Sequence, residues 1–401
     1  MLSEYFGDLH VHIGYTLDGF PVKVTAARNQ TLPLVFEEAI TRKGLDILGI
    51  VDAVCPRLCR ELEEMVESGE ARELPQGGLR YRERLTVIPG AEIEVTGENG
   101  SRAHWLAYFP FLAQLRSFSE FLSRHLTNPE LSTQRCLLPA RVLLLEVAAR
   151  GGIFFPAHAF TPHRGVYGQG TRRLQDLLGK ENFRLIFALE LGLSADTFLA
   201  DHLAELAGVA FLSNSDAHSL KSLGREYNVF RLAEPTWEEL VKALRQEGGR
   251  GISANYGLDP RLGKYHRTFC LACSRIASGE PPVLKCLFCG SERVVKGVLD
   301  RVREIGDWSL PNHPPARPPY YYQVPLPFLP GIGAKTIQKL LARFGTEMKV
   351  LHRAGREELV ETVGPRIGEL IWRARTGDLS ISAGGGGFYG RVSFSEISQR
   401  S

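Results

Sequence analysis

Seven short apolar runs, four to eight residues each, recur through the first half of the 401-residue chain, and each leads to side chains able to bind a metal. They finish in Asp8-Leu9-His10-Val11-His12, in Asp52, in Glu92, in His104, in His158, in Glu190 and in Ser215-Asp216-Ala217-His218. Runs this short and this uniformly apolar suit parallel strands buried on both faces, and helical or loop sequence separates each from the next. The pattern predicts a (β/α) barrel. In such a barrel the C-terminal strand ends form one mouth, where donors far apart in sequence would converge.

The first run, Tyr5 to Ile13, ends in HxH, and strand alternation puts His10 and His12 on one face, able to share a metal. The second, Asp46 to Asp52, delivers Asp52. The third, Leu85 to Val95, delivers Glu92, with Glu94 on the same face. His104 stands before Trp-Leu-Ala-Tyr-Phe, and the fifth run ends at His158. Mixed imidazole and carboxylate donors favour zinc, manganese or iron, and a bridging carboxylate permits two or more ions. Such a cluster activates water near neutral pH and stabilises attacking and leaving oxygens, so hydrolysis at phosphorus needs no serine or cysteine nucleophile. Glu190, at a strand end, fits either a substrate contact or a cap on the following helix. His163 and Arg164 could meet phosphate, whereas His125 and His202 lie in helix-like sequence and are expected to face solvent.

With 44% apolar and 23% charged residues the chain reads as ordinary globular protein of two or three domains. No apolar stretch reaches the roughly 20 residues of a membrane span. Met1-Leu2-Ser3-Glu4 lacks a signal-peptide pattern, so a cytoplasmic protein with no membrane partner is expected. The net charge of +3 conceals an asymmetry: residues 256–377 carry 19 Lys+Arg against 11 Asp+Glu, and the last stretch is balanced, which leaves the first 255 residues at about −5. An acidic, metal-binding front joined to a basic rear suits an enzyme acting on a polyanion.

Four of the seven cysteines form Cys270-Leu-Ala-Cys273 and Cys286-Leu-Phe-Cys289, twelve residues apart, the spacing of a structural four-thiolate zinc site. Arg267, Arg275, Lys285, Arg293 and Lys296 surround it and point towards phosphate. A proline-rich segment, Pro311 to Pro330, should run extended over the barrel, its Tyr320-Tyr321-Tyr322 wrapping a core edge in preference to stacking on bases. Next, Gly331-Ile332-Gly333-Ala334-Lys335-Thr336 opens an amphipathic helix. A glycine hairpin there presents backbone N–H groups to an anion, with Lys335 beside them. A degenerate copy follows at Val363-Gly364-Pro365-Arg366-Ile367-Gly368. Both resemble helix-hairpin-helix elements, which grip duplex backbone without reading sequence; Gly331, Gly333, Lys335, Thr336 and Arg366 are the expected DNA contacts.

The ordered front-half motifs resemble the PHP (polymerase and histidinol phosphatase) superfamily of distorted (β/α)7 barrels with a trinuclear metal centre. That resemblance implies one ion on His10, His12, Glu92 and Asp216, with Glu92 bridging to a second on His104 and His158. Asp52 and His218 would serve the remaining site or its water. The family often has histidine after the strand-two aspartate, where this chain has Ala53; Cys55 or Asp18 would be the substitute donors. Catalytic roles then fall to Asp52, Glu92, Asp216 and His218, with two or three divalent ions (zinc, or manganese or magnesium for activity) in the barrel and one structural zinc on the thiolates.

Across nearly the whole chain the order of parts resembles the endonuclease Q family: barrel 1–255, four-cysteine module 256–300, proline-rich and helical bridge 301–329, tandem helix-hairpin-helix region 330–380, flexible tail 381–401. The family's activity implies cleavage 5′ to deaminated bases (uracil, hypoxanthine, xanthine) or abasic sites in DNA, by a monomer acting on damaged duplex or single strand. Two alternatives are a phosphatase for a small phosphomonoester, which would have no use for the rear half, and a DNA-binding module with an inactive barrel.

Overall fold

The computed structural model describes residues 1–97, 100–375 and 380–393; the end of the expected tail, 394–401, lies outside the described residues. The seven runs are strands β1 (Ser3–Val11), β2 (Ile47–Ile50), β3 (Leu85–Thr96), β4 (Arg102–Tyr108), β5 (Ile153–Pro156), β6 (Ala188–Glu190) and β7 (Ala210–Leu212). β1, β2 and β3 are parallel neighbours, as are β6 and β7. Helices pack outside them, among them Pro56–Glu67, Leu112–Ser123 and Ala140–Ala149. β2 is buried on both faces, as its unbroken apolar sequence requires. Gly49 permits this closeness, because a Cβ there would lie 2.2 Å from the Leu9 carbonyl.

One strand departs from the expected parallel order. β4 runs antiparallel to both β3 and β5. Only residues 97–101 separate it from β3, too few for the crossover a parallel pair needs. The reversal brings His104, near the start of β4, to the same mouth as the ends of the other strands. Trp105 stacks on Phe154 beneath it, rings 5.0 Å apart and 5° from parallel.

The barrel closes between its two densest motifs. The His12 N–H donates to the Ala217 carbonyl (3.1 Å) and the Ala217 N–H to the His10 carbonyl (3.2 Å). Backbone pairing of HxH with Asp-Ala-His therefore places all four of their donors together.

Beyond the barrel the sheet continues through β8 (Tyr227–Leu232) and β9 (Gly251–Gly257) to β10 (Tyr320–Tyr322), which adds in parallel to β9. The expected boundary at 255/256 thus falls inside a strand, and part of the proline-rich bridge belongs to the barrel's sheet. Tyr227, Tyr256 and Tyr321 stack in succession, at 5.2 and 5.0 Å.

The rear parts are docked as well. Glu347, in the helix Glu347–His352, forms a buried 2.9 Å ion pair with Lys43, and His352 Nε2 lies 2.6 Å from the Tyr227 hydroxyl. Asp300, fully buried in helix Val298–Ile305, accepts from the backbone of Thr268 (2.9 Å) and Val283 (2.8 Å) and from Arg267 (3.2 Å), holding the cysteine module. In the tail, Ser380–Ser382 pairs antiparallel with Arg391–Ser393, and the glycine-rich turn between them lies against Ile276 and Phe269. The described part of the segment expected to be flexible is therefore a hairpin.

Candidate metal centre and nucleic-acid surface

Seven of the eight predicted donors meet at the barrel mouth, with the carboxylate of Glu92 at their centre. Its Oε1 lies 2.8 Å from His104 Nδ1, 3.3 Å from His158 Nε2 and 3.6 Å from His10 Nε2, and its Oε2 lies 3.4 Å from His12 Nε2. Asp216 Oδ1 is 3.5 Å from His10 Nε2 and 3.4 Å from His12 Nε2. The donor atoms fall into sets that one ion could bridge: His10, His12 and Glu92; Glu92, His104 and His158; and His12, Asp216 and His218. A carboxylate common to two sets could serve two ions at once.

Two of these residues carry backbone strain. His158 and Asp216 have φ of +28° and +46°, a region that side-chain-bearing residues seldom adopt and that persists where surrounding structure enforces it. For His158 the enforcement is visible: its N–H donates to Glu190 Oε1 (3.0 Å), and Gly192, at φ +80°, passes so close that a Cβ would sit 2.7 Å from the His158 Cβ.

Asp52 stands behind the donors and not among them. Its oxygens accept from His12 Nδ1 (2.9 and 3.2 Å), from the Ile13 N–H (2.5 Å) and from Ser132 Oγ. Glu190 does the same for His10, accepting from Nδ1 at 2.9 Å, while Asp196 is the residue that caps the following helix. Each HxH imidazole therefore has its Nδ1–H bound to a carboxylate and its Nε2 aimed into the mouth. The substitute donors do not converge: Asp18 is exposed and paired with Arg57 (3.3 Å), and Cys55 is a buried helix N-cap whose thiol burial pushes well above its usual range.

Electrostatics favour cations here. Burial by itself would raise the pKa of Glu92 and Asp216, but for Glu92 the charge of His104 and for Asp216 that of His10 reverse the effect, holding both well below the usual carboxylate range. Burial opposes charge on His10, yet Glu190 and Asp216 push it up to about 10. Sequence reading overlooked Lys23, whose Nζ is 3.1 Å from Glu92 Oε2 and bonds Thr133 Oγ1. It also missed Asn255, Asn228 and Asn214, which pass amide hydrogen bonds of 2.9, 3.0 and 2.9 Å in line to Glu190. A lone lysine in a loop, and asparagines on two strands and a loop, carry no spacing signal.

The donors open into a cavity of about 660 Å³, whose walls also include Arg164, Ser194, Arg225, Lys264, Tyr265 and Tyr389. Arg164 is paired with Glu94 at 2.6 Å, and His163 meets Tyr265 edge-on at 5.2 Å. His125 follows a helix against Phe121, whereas His202, expected in solvent, is buried with its Nδ1 2.8 Å from the Trp308 carbonyl.

Cys270, Cys273, Cys286 and Cys289 form one cluster with all four Sγ atoms within 4.8 Å of one another. Two matching turns build it. The Ser274 N–H returns to the Cys270 carbonyl (2.9 Å) and the Gly290 N–H to the Cys286 carbonyl (3.0 Å), with Ser274 and Gly290 both at positive φ. Not all surrounding cations are available to phosphate, since Arg267 is held by Asp300 and Lys296 by Glu304 (2.8 and 2.9 Å).

In the rear helices, Gly331 takes φ +83° and Gly333 starts the helix Ala334–Phe344, leaving Lys335 exposed. In the second copy Gly364 takes φ +84° and Pro365 begins the helix directly, so Gly368 lies inside it, where a Cβ would meet the Val360 backbone at 2.6 Å. Gly331 packs near Ile367, so the two turns lie together.

A distorted barrel with imidazoles and carboxylates gathered at one mouth defines a PHP-fold, metal-dependent phosphoesterase. Residues 196–247 match the family model described as PHP-associated. The chain is 45% identical over 395 residues to the uncharacterized protein YqxK of Bacillus subtilis, spanning 98% of this chain and all of that one. It is 34% identical to the lesion-specific endonuclease PfuEndoQ from Pyrococcus furiosus, with a TM-score of 0.84 over 98% of this chain and 96% of that one. Endonuclease Q in complex with a 27-mer duplex bearing an abasic lesion is similar at 33% identity, with a TM-score of 0.83 over 98% of this chain and 97% of that one. The chain belongs to the endonuclease Q family and is a metal-dependent nuclease.

Proposed function

We propose that this protein nicks DNA on the 5′ side of a damaged nucleotide, a deaminated base (uracil, hypoxanthine or xanthine) or an abasic site, leaving 3′-hydroxyl and 5′-phosphate ends. The observation that carries the reading is the Glu92 carboxylate, with His104 and His158 on one oxygen and His12 on the other, opening into a cavity large enough for an extruded nucleotide. Divalent ions bound there supply a nucleophilic water near neutral pH and neutralise charge on the phosphate.

The chain's own residues do the rest. His10, His12, Glu92 and Asp216 would hold one ion, and Glu92, His104 and His158 another; His218, with its Nδ1 3.0 Å from the Asp216 carbonyl, stands at the edge to move a proton. Asp52 and Glu190 fix the two HxH imidazoles as Nε2 donors. The thiolates would carry one structural zinc, which supplies the stability that a segment so small cannot draw from a core. Gly331, Gly333, Lys335, Thr336 and Arg366 would bind duplex backbone through exposed N–H groups and charge. Extruding the damaged nucleotide costs least where it is mispaired or missing, which is a source of selectivity.

A nicking assay on labelled duplexes carrying uracil, hypoxanthine, xanthine, an abasic site or no lesion tests this. Cleavage 5′ to the lesions and not of the intact duplex is expected. Equal cleavage of all five would overturn the lesion preference, and hydrolysis of small phosphomonoesters alone would overturn the DNA assignment.

A further inference from the structure

Resting on the metal-dependent reading above, we propose that the Lys23 ammonium takes the place of a third metal ion, so that the barrel centre is built for two divalent ions and one fixed organic cation. The family resemblance implies three ions, and the residues here do not fit the third.

The set that could hold it, His12, Asp216 and His218, shares His12 with the first set, and its Asp216 also lies 3.5 Å from His10 Nε2, on the first ion's side. His12 has one nitrogen to give, because its Nδ1 is committed to Asp52 at 2.9 Å, and an imidazole nitrogen serves one ion at a time. With His12 engaged beside His10, the third place keeps His218 and a shared Asp216, fewer than the three protein ligands of an ordinary catalytic site. The end of β2 supplies nothing more. Asp52 faces away, Ala53 has no donor, Cys55 is buried as a helix cap, and Asp18 is paired with Arg57 outside.

In their stead the chain delivers Lys23. Its Nζ reaches Glu92 Oε2 at 3.1 Å and Thr133 Oγ1, and Thr133 Oγ1 itself donates to Glu92 Oε2 at 2.7 Å, so the ammonium is tied in place. Only 13% of the side chain is exposed, and Asp52 and Asp216 join Glu92 in attracting its charge. A fixed positive charge among those carboxylates repels a further divalent ion while doing part of its work, balancing the charge that builds on a phosphate in the mouth. Unlike an ion it cannot be stripped by a chelator. Lys23, on the wall of the same cavity, thus acts through its fixed charge and not by assembling the ligands.

The test is a metal count on the full-length protein, loaded with zinc and freed of excess by gel filtration, beside steady-state nicking by wild type, Lys23→Met and Lys23→Arg. Three ions per chain are expected in wild type, two in the barrel and one on the thiolates. Lys23→Met should keep all three yet lose about a hundredfold in kcat with little change in KM, the scale of removing one preorganised charge, and Lys23→Arg should recover part of the loss. Four ions in wild type, or two, overturn the proposal, as does full kcat in Lys23→Met. Loss of barrel ions in Lys23→Met also overturns it, since the lysine would then be needed only to assemble the ligands. One ion per chain in wild type is a different result: it sinks the metal-centre reading itself. The wild-type count decides even where a variant fails to fold.

Discussion

The Asp52 carboxylate lies 2.9 Å from Nδ1 of His12, on the side of the imidazole opposite the metal donors, and thereby sets which nitrogen His12 offers. Glu190 stands in the same relation to His10. Asp52 lies just past the end of β2 and Glu190 ends β6, so the fold carries the orientation of its donors in carboxylates set behind the imidazoles.

Asp52→Asn removes the charge and turns one of the two acceptor oxygens into a donor while keeping the volume. Barrel metal affinity is expected to fall about 10- to 100-fold, the usual effect of losing such a partner, with the thiolate ion unaffected. Competition against a calibrated chelator measures this; unchanged affinity would show that His12 is oriented without the Asp52 charge.

Glu92→Ala takes the shared carboxylate out of both ion sets. Nicking should disappear while duplex binding stays within about twofold, because the grip is assigned to the rear helices and not the mouth. Electrophoretic binding and nicking assays on the same substrate separate the two; retained nicking would refute the cluster as the reaction centre.

Lys335→Ala should weaken all duplexes alike, damaged or intact, and reduce the slope of log affinity against log salt by about one contact. A change confined to one lesion type would contradict a backbone grip at the Gly331 turn.

Glu226 gives a pH signature. It is fully buried, and burial pushes its pKa from 4.5 to about 8, with one oxygen accepting from the Leu258 N–H at 2.7 Å. Raised in the fold, it stays protonated there while the unfolded chain ionises, so wild-type stability drains away between about pH 4.5 and 8 and the loss is complete above that. Glu226→Gln escapes the loss. The variant should match wild type near pH 4.5 and be more stable by roughly 3 kcal/mol at pH 7, the advantage levelling off past pH 8. Denaturant unfolding at pH 5, 7 and 9 checks it, and a gap independent of pH would show that Glu226 does not titrate as assigned.

The sequence alone determined a good deal. Short apolar runs ending in donors fixed the barrel strands and their polar ends, because a strand buried on both faces leaves no freedom in composition. Two CxxC pairs fixed the thiolate cluster, because four soft donors at that spacing have one economical use. What only the tertiary structure decided was direction and partnership. The orientation of β4 follows from a loop too short for a crossover, which periodicity does not encode. Whether Asp52 and Glu190 bind an ion or aim a histidine depends on which side of the imidazole each carboxylate lies. Lys23 was illegible for the same reason: its meaning is its position beside Glu92, 69 residues away along the chain, and a single charge in a loop carries no trace of what folding will bring next to it.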